Sequence, residues 1–253
     1  MADDYTITVS ITSDIGCQRA TNEDFARSVL PGDSDVLRSR GVLVVVADGM
    51  GGHNAGEVAS ELAVKTAHTY LAERLSSDSN NEIPTLLSEA MHATHEAIST
   101  KARNDLSLMG MGTTLVEVII RGNKAFICHA GDSRAYHYRD ALQRITRDHT
   151  MGDHLLENKI LPRERIPEKQ WHTLTQAVGF GAPPVPDFKQ VDLLSGDMLL
   201  LCSDGLTDML TDEEIETVIK GGNLNIDCIT KSLIEAANIK GGRDNISVVL
   251  VKI

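Results

Sequence analysis

The spacing of the hydrophobic residues changes several times along the chain, and each change predicts a different element. From Tyr5 to Ser13 apolar and polar residues alternate, which indicates a half-buried antiparallel strand. Residues 42–46 are consecutive aliphatic residues, a run typical of a strand buried on both faces. Apolar residues then recur at four-residue spacing over about 55–75 and about 83–103, which predicts two long amphipathic helices. Because a short polar segment joins these helices, we expect them to pack antiparallel.

The second half of the chain consists mainly of short apolar stretches separated by turn residues, which predicts a series of strands. The expected strands, together with one at 25–30 before a polar turn at 31–39, are 114–120, 124–130, 135–138, 142–145, 191–194, 198–202 and 246–253. We predict that 191–194 and 198–202 form a hairpin, and that a last helix occupies about 226–237. This order of elements predicts an α+β fold in which two antiparallel sheets stack with helices outside.

Residues 146–188 interrupt the pattern of strands. They contain five of the seven prolines and only two short segments of helical periodicity, near 150–158 and 173–178. We predict a mobile insertion on the surface, because long connections of this kind carry function more often than core structure. Further along, Thr211 and Glu214 have the spacing of a capping box, so a helix should begin there.

The composition narrows the classes of function. The 253 residues carry a net charge of −12, which would repel nucleic acid and anionic membranes, so we expect neither as a partner. No apolar run reaches the ~18–20 residues of a membrane span, and the acidic N-terminal residues do not resemble a signal peptide, so we expect a cytoplasmic protein. None of the four cysteines forms a Cys-x-x-Cys pair, which argues against a zinc ribbon or a thioredoxin-type site.

Acidic residues recur where a predicted strand meets a loop. Most lie beside glycine, and they are Glu23-Asp24, Asp48, Asp132, Asp204 and Asp244. If the strands belong to one sandwich, these carboxylates can converge on one edge, where cations must offset their mutual repulsion. Carboxylates are hard oxygen ligands that suit Mg²⁺, Mn²⁺ or Ca²⁺, and two such ions together can activate water against a phosphoester. Arg19 offers a planar guanidinium able to grip two oxygens of a phosphate group.

In these residues the chain resembles the metal-dependent protein serine/threonine phosphatases, the protein phosphatase 2C family, in their compact bacterial form. The resemblance covers essentially the whole chain, and seven segments carry it in family order: Arg19-x-x-x-Glu23-Asp24, Asp48-Gly49-Met50-Gly51-Gly52-His53, Gly110-Met111-Gly112-Thr113-Thr114, Gly131-Asp132-Ser133-Arg134, Asp148-His149, Ser203-Asp204-Gly205-Leu206 and Asp244-Asn245. It implies a four-layer α-β-β-α sandwich, two antiparallel sheets flanked by helix pairs. It also implies a single catalytic domain over 1–253, with a flap insertion at about 146–188.

The resemblance further implies a site with two core ions, Mn²⁺ or Mg²⁺, and a third ion that binds more weakly. In this arrangement Asp48 bridges the two core ions, Asp204 and Asp244 complete the shell of one, the Gly49 carbonyl and Glu23 (through water) serve the other, and Asp132 holds the third with help from Asp204. A hydroxide formed between the core ions would attack the phosphorus of phosphoserine or phosphothreonine without a phosphoenzyme, while Arg19 binds the phosphate.

Other features of the resemblance concern the leaving group, the flap and the partners. His53 is a hypothetical general acid for the leaving oxygen, whereas animal members have a histidine where this chain has Met50. Many relatives carry an arginine near the position of Gln176, and Trp171-His172 is unusual in a flap. The implied partners are phosphorylated proteins and a cognate serine/threonine kinase, and we expect a monomer.

Two alternatives compete with this interpretation. Cys128 and Arg134 fit the Cys-x5-Arg spacing of cysteine-dependent phosphatases, but Ile127 replaces the expected histidine and Asp132 would repel the phosphate. Cys128 also falls within a predicted apolar strand. A catalytically impaired, phosphatase-like module that only binds phosphoproteins would need a damaged metal set, whereas every matched carboxylate is present.

Overall fold

Two antiparallel sheets form the centre of the fold. The computed structural model describes residues 6–51, 55–75, 82–222 and 225–253, and its elements are numbered in chain order. The first sheet has the strand order β1 (Thr8–Asp14), β11 (Ile246–Lys252), β10 (Met198–Cys202), β7 (Arg134–Tyr138) and β8 (Leu142–Arg144). The second has the order β2 (Asp24–Val29), β3 (Val42–Met50), β5 (Leu115–Arg121), β6 (Lys124–Ala130) and β9 (Asp187–Asp192), and the short β4 (Gly112–Thr113) also pairs with β3.

Helices cover the outer faces of both sheets. The α-helices are α1 (Ser34–Arg40), α2 (Ala55–Arg74), α3 (Ile83–Asn104), α4 (Met151–Glu157), α5 (Glu168–Trp171), α6 (Asp204–Thr207), α7 (Asp212–Gly221) and α8 (Ile226–Ile239). The pair α2 and α3 packs on the second sheet, and α6, α7 and α8 pack on the first. The predicted four-layer α-β-β-α sandwich is therefore confirmed. No helix within the described residues is both long and apolar enough to cross a membrane.

Strand β3 shows why the layers stack in this order. Its even-numbered residues Val42, Val44 and Val46 face the first sheet, and the odd-numbered Leu43 and Val45 face α2 and α3. Successive side chains of a strand point to opposite faces, so an uninterrupted aliphatic run supplies two cores at once. The expectation of a strand buried on both faces is thus correct.

The segment 31–39 is not the polar turn that the sequence predicted, because residues 34–40 form α1. The Asp33 carboxylate caps this helix by accepting hydrogen bonds from the backbone N–H groups of Asp35 (2.9 Å) and Val36 (3.0 Å). Gly41 follows the helix with a φ of 80°, a conformation that favours glycine. The capping signal was present in the sequence, but the segment is too short for apolar periodicity to reveal it.

The predicted hairpin of 191–194 and 198–202 is also wrong, because the two strands belong to different sheets. Strand β9 pairs with β6, whereas β10 pairs with β7 and β11. Between them the chain crosses from one sheet to the other, and Leu193 is buried in the core that separates the sheets. Two apolar stretches around a glycine turn fit a hairpin within one sheet and a crossover between two sheets equally well. The local sequence pattern therefore could not distinguish between these two connections.

The helix predicted at 173–178 does not form, and the short helix α5 lies before it. Leu174 forms a β-bridge with Thr150, and Val178 forms one with Thr113. These two bridges hold the segment in an extended conformation, which its β-branched residues readily adopt. The other predicted helices are confirmed, and α7 begins with both hydrogen bonds of the capping box between Thr211 and Glu214.

Candidate active site

The predicted acidic residues meet at one end of the β-sandwich. They line a cleft of about 820 Å³ that also includes Arg19 and residues of the 146–188 segment. All the sequence-predicted metal ligands line it, namely Glu23, Asp48, Gly49, Asp132, Asp204 and Asp244. Asp48 lies near the end of β3, Asp204 begins α6, and Asp244 precedes β11 by two residues. His53, the hypothetical general acid, lies outside the described residues.

Asp48 is held in place by the 110–114 segment that follows α3. Its backbone N–H donates a hydrogen bond to Thr114 Oγ1 (2.9 Å), and its carbonyl accepts from Thr114 N–H (2.8 Å) and Thr113 Oγ1 (2.8 Å). Thr114 Oγ1 also lies 2.7 Å from Ser133 Oγ, next to Asp132. These bonds fix the backbone of Asp48 on both sides and tie it to the loop that carries Asp132, which leaves the Asp48 carboxylate facing the cleft.

Gly49, Gly56 and Glu23 form an oxygen-lined corner beside Asp48. The Gly49 N–H donates to the Glu23 carbonyl at 3.0 Å. A Cβ atom at Gly56 would lie 2.8 Å from the Gly49 carbonyl oxygen and 2.9 Å from Glu23 Oε1, so a side chain there would fill the corner. Glycine at position 56 therefore keeps a carbonyl and a carboxylate open to the same small space, which suits a hard cation.

The electrostatics of the cleft call for positive charge. Burial, followed by repulsion from Asp24, raises the pKa of Asp48 well above its usual range, and burial followed by repulsion from Asp132 does the same for Asp204. Burial also raises the pKa of Asp132 to about 7 and that of Asp24 to about 6. Asp204 Oδ1 is buried and has no hydrogen-bond partner among the described residues. Hard oxygens, converging charges and an unsatisfied buried carboxylate oxygen together fit divalent ions such as Mn²⁺ or Mg²⁺.

Arg19 stands at the rim of the cleft. Its Nη2 lies 2.5 Å from Asp244 Oδ2, and about half of its side chain is exposed. A cation bound by Asp244 would compete for this carboxylate and leave the guanidinium available to a phosphate group. The contact between Arg19 and substrate stays a prediction.

The structure places several residues in or beside the cleft that were not predicted as site residues. Asp24 lies opposite Asp48 in the β2–β3 register and accepts a hydrogen bond from Ser203 Oγ (2.6 Å). Asn245 accepts one from the Glu23 N–H (2.8 Å). Asp24, Ser203 and Asn245 lie inside the segments that carry the family resemblance, so the sequence pointed to these residues without indicating a role for them. Asp208, which lines the cleft, had no such signal.

The 146–188 segment forms one wall of the cleft. His172, residues 174–177 and residues 182–185 line it, and Gln176 Oε1 accepts a hydrogen bond from the Val185 N–H (2.7 Å). His172 Nδ1 lies 3.4 Å from Asp208 Oδ2. Of the unusual residues of the predicted flap, His172 and Gln176 line the cleft, whereas Trp171 does not.

A second group of potential metal ligands, His129, His149 and Asp187, lies where the 146–188 segment begins and ends. His149 Nδ1 accepts a hydrogen bond from the Gly131 N–H (3.2 Å), so its proton must lie on Nε2, the nitrogen nearest Asp187 (3.5 Å). The two imidazoles stack with ring centroids 4.7 Å apart, and parallel rings cannot aim both lone pairs at one ion. This group is therefore structural.

The geometry excludes the cysteine-dependent alternative. Cys128 lies inside β6 and is buried, and its burial raises the pKa of its thiol, so a reactive thiolate would not form. Arg134 instead binds Asp148, with Nη2 2.7 Å from Oδ2, and is not available for a phosphate.

Comparisons with known proteins agree with this geometry. A family model described as "Protein phosphatase 2C" matches residues 20–226. Protein phosphatase PhpP of Streptococcus pneumoniae is 34% identical over 245 residues, which covers 96% of this chain and 96% of PhpP. The solved serine/threonine phosphatase of S. agalactiae superposes with a TM-score of 0.86 at 32% identity, covering 98% of this chain and 100% of that chain. The catalytic domain of the phosphatase PstP, solved with 2 manganese ions, has a TM-score of 0.80 at 33% identity, with 97% of each chain covered.

Proposed function

Because the chain belongs to the protein phosphatase 2C family, we propose that it is a metal-dependent enzyme that hydrolyses phosphoserine and phosphothreonine in proteins. The observation that carries this proposal is the convergence of the acidic residues and Arg19 on one cleft. The related PstP domain holds 2 manganese ions, which supports two Mn²⁺ or Mg²⁺ ions here. An intact acidic set argues against the impaired binding module.

We assign the metal ligands within this proposal as the sequence predicted them. Asp48 would serve both core ions, Asp204 and Asp244 would serve one of them, the Gly49 carbonyl and Glu23 would serve the other, and Asp132 would hold a weaker third ion with Asp204; all of these residues line the cleft. When bound, the ions supply an activated water and neutralise charge on the phosphate. The open corner at Gly49 and the unpartnered Oδ1 of Asp204 support these assignments.

The remaining chemistry falls to side chains of the protein. Arg19 binds two oxygens of the phosphate and holds the phosphorus in line with the attacking water. Thr113 and Thr114 fix the backbone of Asp48, so the centre is organised before substrate arrives. His53 is proposed to donate a proton to the serine or threonine oxygen as it leaves. Residues 146–188 act as a substrate-facing flap of a single domain.

The test is the hydrolysis of a phosphoserine peptide with and without Mn²⁺, by wild type, Asp204→Asn and Cys128→Ser. We expect EDTA or Asp204→Asn to lower kcat/KM by roughly a hundredfold or more, since metal stabilisation of the transition state amounts to several kcal/mol. Cys128→Ser, buried in β6, should keep near wild-type activity. Activity that survives both metal removal and Asp204→Asn would contradict the proposal.

We also propose that the substrates are targets of a cognate serine/threonine kinase, and that the protein acts as a cytoplasmic monomer. The net charge of −12 favours repulsion between copies and disfavours nucleic acid and anionic membranes. Light scattering of the purified protein with Mn²⁺ would give one protomer mass if the monomer is correct, and a doubled mass would refute it.

A further inference from the structure

A second, smaller cavity adjoins the catalytic cleft. Its volume is about 350 Å³, and it lies between the C-terminal part of α3, residues 109–111 and residues 179–181. Phe180 and Gly181 line both this cavity and the cleft, so the two spaces share one wall. We call the combined space the rim groove. A chain bound in the cleft has only to pass Phe180 to reach the second cavity.

The backbone that leads into Phe180 is held by hydrogen bonds at Val178 and Gly179. Val178 exchanges two backbone hydrogen bonds with Thr113, at 2.8 and 2.9 Å. The Gly179 N–H donates to His95 Nδ1 (3.1 Å), and the Gly179 carbonyl accepts from Ser99 Oγ (3.0 Å). A Cβ at Gly179 would lie 2.1 Å from Ile98 Cγ2, so the segment lies directly against α3.

The side chains that face the rim groove are nevertheless exposed and apolar. Phe180 is 55% exposed and Met109, on the other wall, is 69% exposed. An aromatic ring on a fixed backbone can bind an apolar partner with little loss of conformational entropy, and methionine adapts to partners of different shape. Neither Phe180 nor Met109 is buried in a hydrophobic core, so both side chains are accessible to a bound chain.

The positively charged side chain of Arg103 adds a preference for negative charge in the bound chain. Arg103 also lines the second cavity, and about two thirds of its side chain is exposed. Its nearest carboxylate, Glu96, is 4.0 Å away and equally exposed, which makes a weak pair. The groove therefore presents apolar walls with a cation at the edge, in a protein whose net charge is −12.

We propose that the rim groove selects phosphoprotein substrates, by taking an apolar side chain that lies one to three residues from the phosphorylated residue. This inference rests on the proposed phosphatase function and names its substrate class. An extended chain advances about 3.3 Å per residue, so a side chain close to the phosphate in sequence is the one that reaches an adjoining cavity. Arg103 favours an acidic residue next to the apolar one. Met109 and Phe180 are specificity-determining residues, and neither takes part in the chemistry.

The experiment compares phosphoserine peptides that carry Leu or Asn at each of the three positions on either side of the phosphoserine. Wild type with Mn²⁺ should prefer Leu by about tenfold in kcat/KM at one of these positions, mainly through KM, since one buried aliphatic side chain is worth this much. Met109→Ser and Phe180→Ala should each reduce the preference below about threefold. Leu194→Ser is the matched control, because Leu194 is 54% exposed and lies in the turn between β9 and β10, away from the groove.

p-Nitrophenyl phosphate separates this inference from the proposed function, because it has no flanking residues. Its metal-dependent hydrolysis should change less than twofold in Met109→Ser. If wild type hydrolyses the Leu and Asn peptides within twofold of each other at all six positions, the rim groove does not select substrates. A tenfold preference that persists in both variants would also overturn the inference. Absence of metal-dependent p-nitrophenyl phosphate hydrolysis in wild type would instead refute the phosphatase function itself.

Discussion

Strand β10 has an aspartate beyond each of its ends, and the two aspartates are in opposite electrostatic situations. Asp197 precedes the strand and receives hydrogen bonds from Arg139 Nε (2.8 Å), Arg139 Nη2 (2.7 Å) and the Leu194 N–H (2.9 Å), with His137 Nε2 at 2.8 Å. Burial raises the pKa of Asp197, but these groups outweigh it and lower the pKa to about 2. Asp204 follows the strand, where burial and neighbouring carboxylates raise its pKa.

This contrast distinguishes a structural aspartate from a metal ligand when both are shielded from water. A structural carboxylate is satisfied by cations and N–H groups of the protein, as at Asp197, so it stabilises the fold as it stands. A carboxylate with a buried oxygen that lacks a hydrogen-bond partner among the described residues, as at Asp204, costs stability until an external cation binds.

The largest effect on stability is expected from Asp197→Asn. The amide cannot accept from Arg139, His137 and Leu194 as the carboxylate does, so the free energy of unfolding should fall by about 2–3 kcal/mol. Urea denaturation would measure it, with Asp192→Asn as the control because Asp192 is exposed nearby. The kcat of the folded variant should stay unchanged, and a large loss of kcat would mean that the two ends of β10 are not independent.

Asp204→Asn should have the opposite effect on stability. In EDTA at pH 8 it removes a charge that neighbouring carboxylates repel, so the free energy of unfolding should rise by about 1–2 kcal/mol. Saturating Mn²⁺ stabilises wild type by about 2.7 kcal/mol at a hundred times Kd, and the variant should gain much less. Thermal unfolding with and without Mn²⁺ would check both, and a variant less stable than wild type in EDTA would show that Asp204 is structural.

The pH dependence of the metal-free protein should reveal the same contrast. The raised pKa values of Asp24 (about 6) and Asp132 (about 7) mean that these two carboxyl groups bind more protons in the folded state than in the unfolded state between about pH 4 and 7. Stability in EDTA should therefore fall by at least about 1 kcal/mol as pH rises through this range. Asp197, with its lowered pKa, loses its contribution only as pH falls from about 4 towards 2. Urea midpoints between pH 2 and 8 would test this, and a midpoint that rises from pH 5 to 7 would contradict it.

The smallest effect concerns Glu117, which tests whether burial alone identifies a ligand. Both of its carboxylate oxygens are buried without a hydrogen-bond partner among the described residues, and burial raises its pKa well above the usual range. It lies within β5, away from the cleft-lining residues. Glu117→Met should therefore raise stability by up to about 1 kcal/mol at pH 7 without changing the response to Mn²⁺. Glu117→Gln, which keeps a polar group, is the control, and a weaker Mn²⁺ response in Glu117→Met would refute the distinction.

The sequence could predict those parts of the fold that long periodic segments encode. Helices α2 and α3 and the buried strand β3 each carry enough apolar residues to define a face, and the capping box at Thr211 marks α7 by local chemistry alone. The errors fall where pairing is decided at long range. Whether β9 joins β6 or β10 depends on which sheet has a free edge, and the 173–178 segment is extended because Thr113 and Thr150 pair with it.

The candidate site follows the same rule. Asp48, Asp132, Asp204 and Asp244 could be found because each stands beside the end of an apolar strand, and strand ends gather at the edge of a sandwich. Asp24 could not be assigned a role, because its burial comes from lying opposite Asp48 across the β2–β3 pair. Its environment depends on register, which a single sequence does not specify.

The position of β11 has a consequence for the newly made chain. This strand lies between β1 and β10, although β1 comes early in the chain and β11 comes after every other described strand. Until β11 has been synthesised, β1 has no strand to pair with and both of its edges are unpaired. Its serines and threonines disfavour aggregation with other nascent chains during this time. Asp244 is synthesised just before β11, so the set of cleft carboxylates and the first sheet are completed together. The cleft therefore lacks the Asp244 carboxylate until the chain has been synthesised as far as β11.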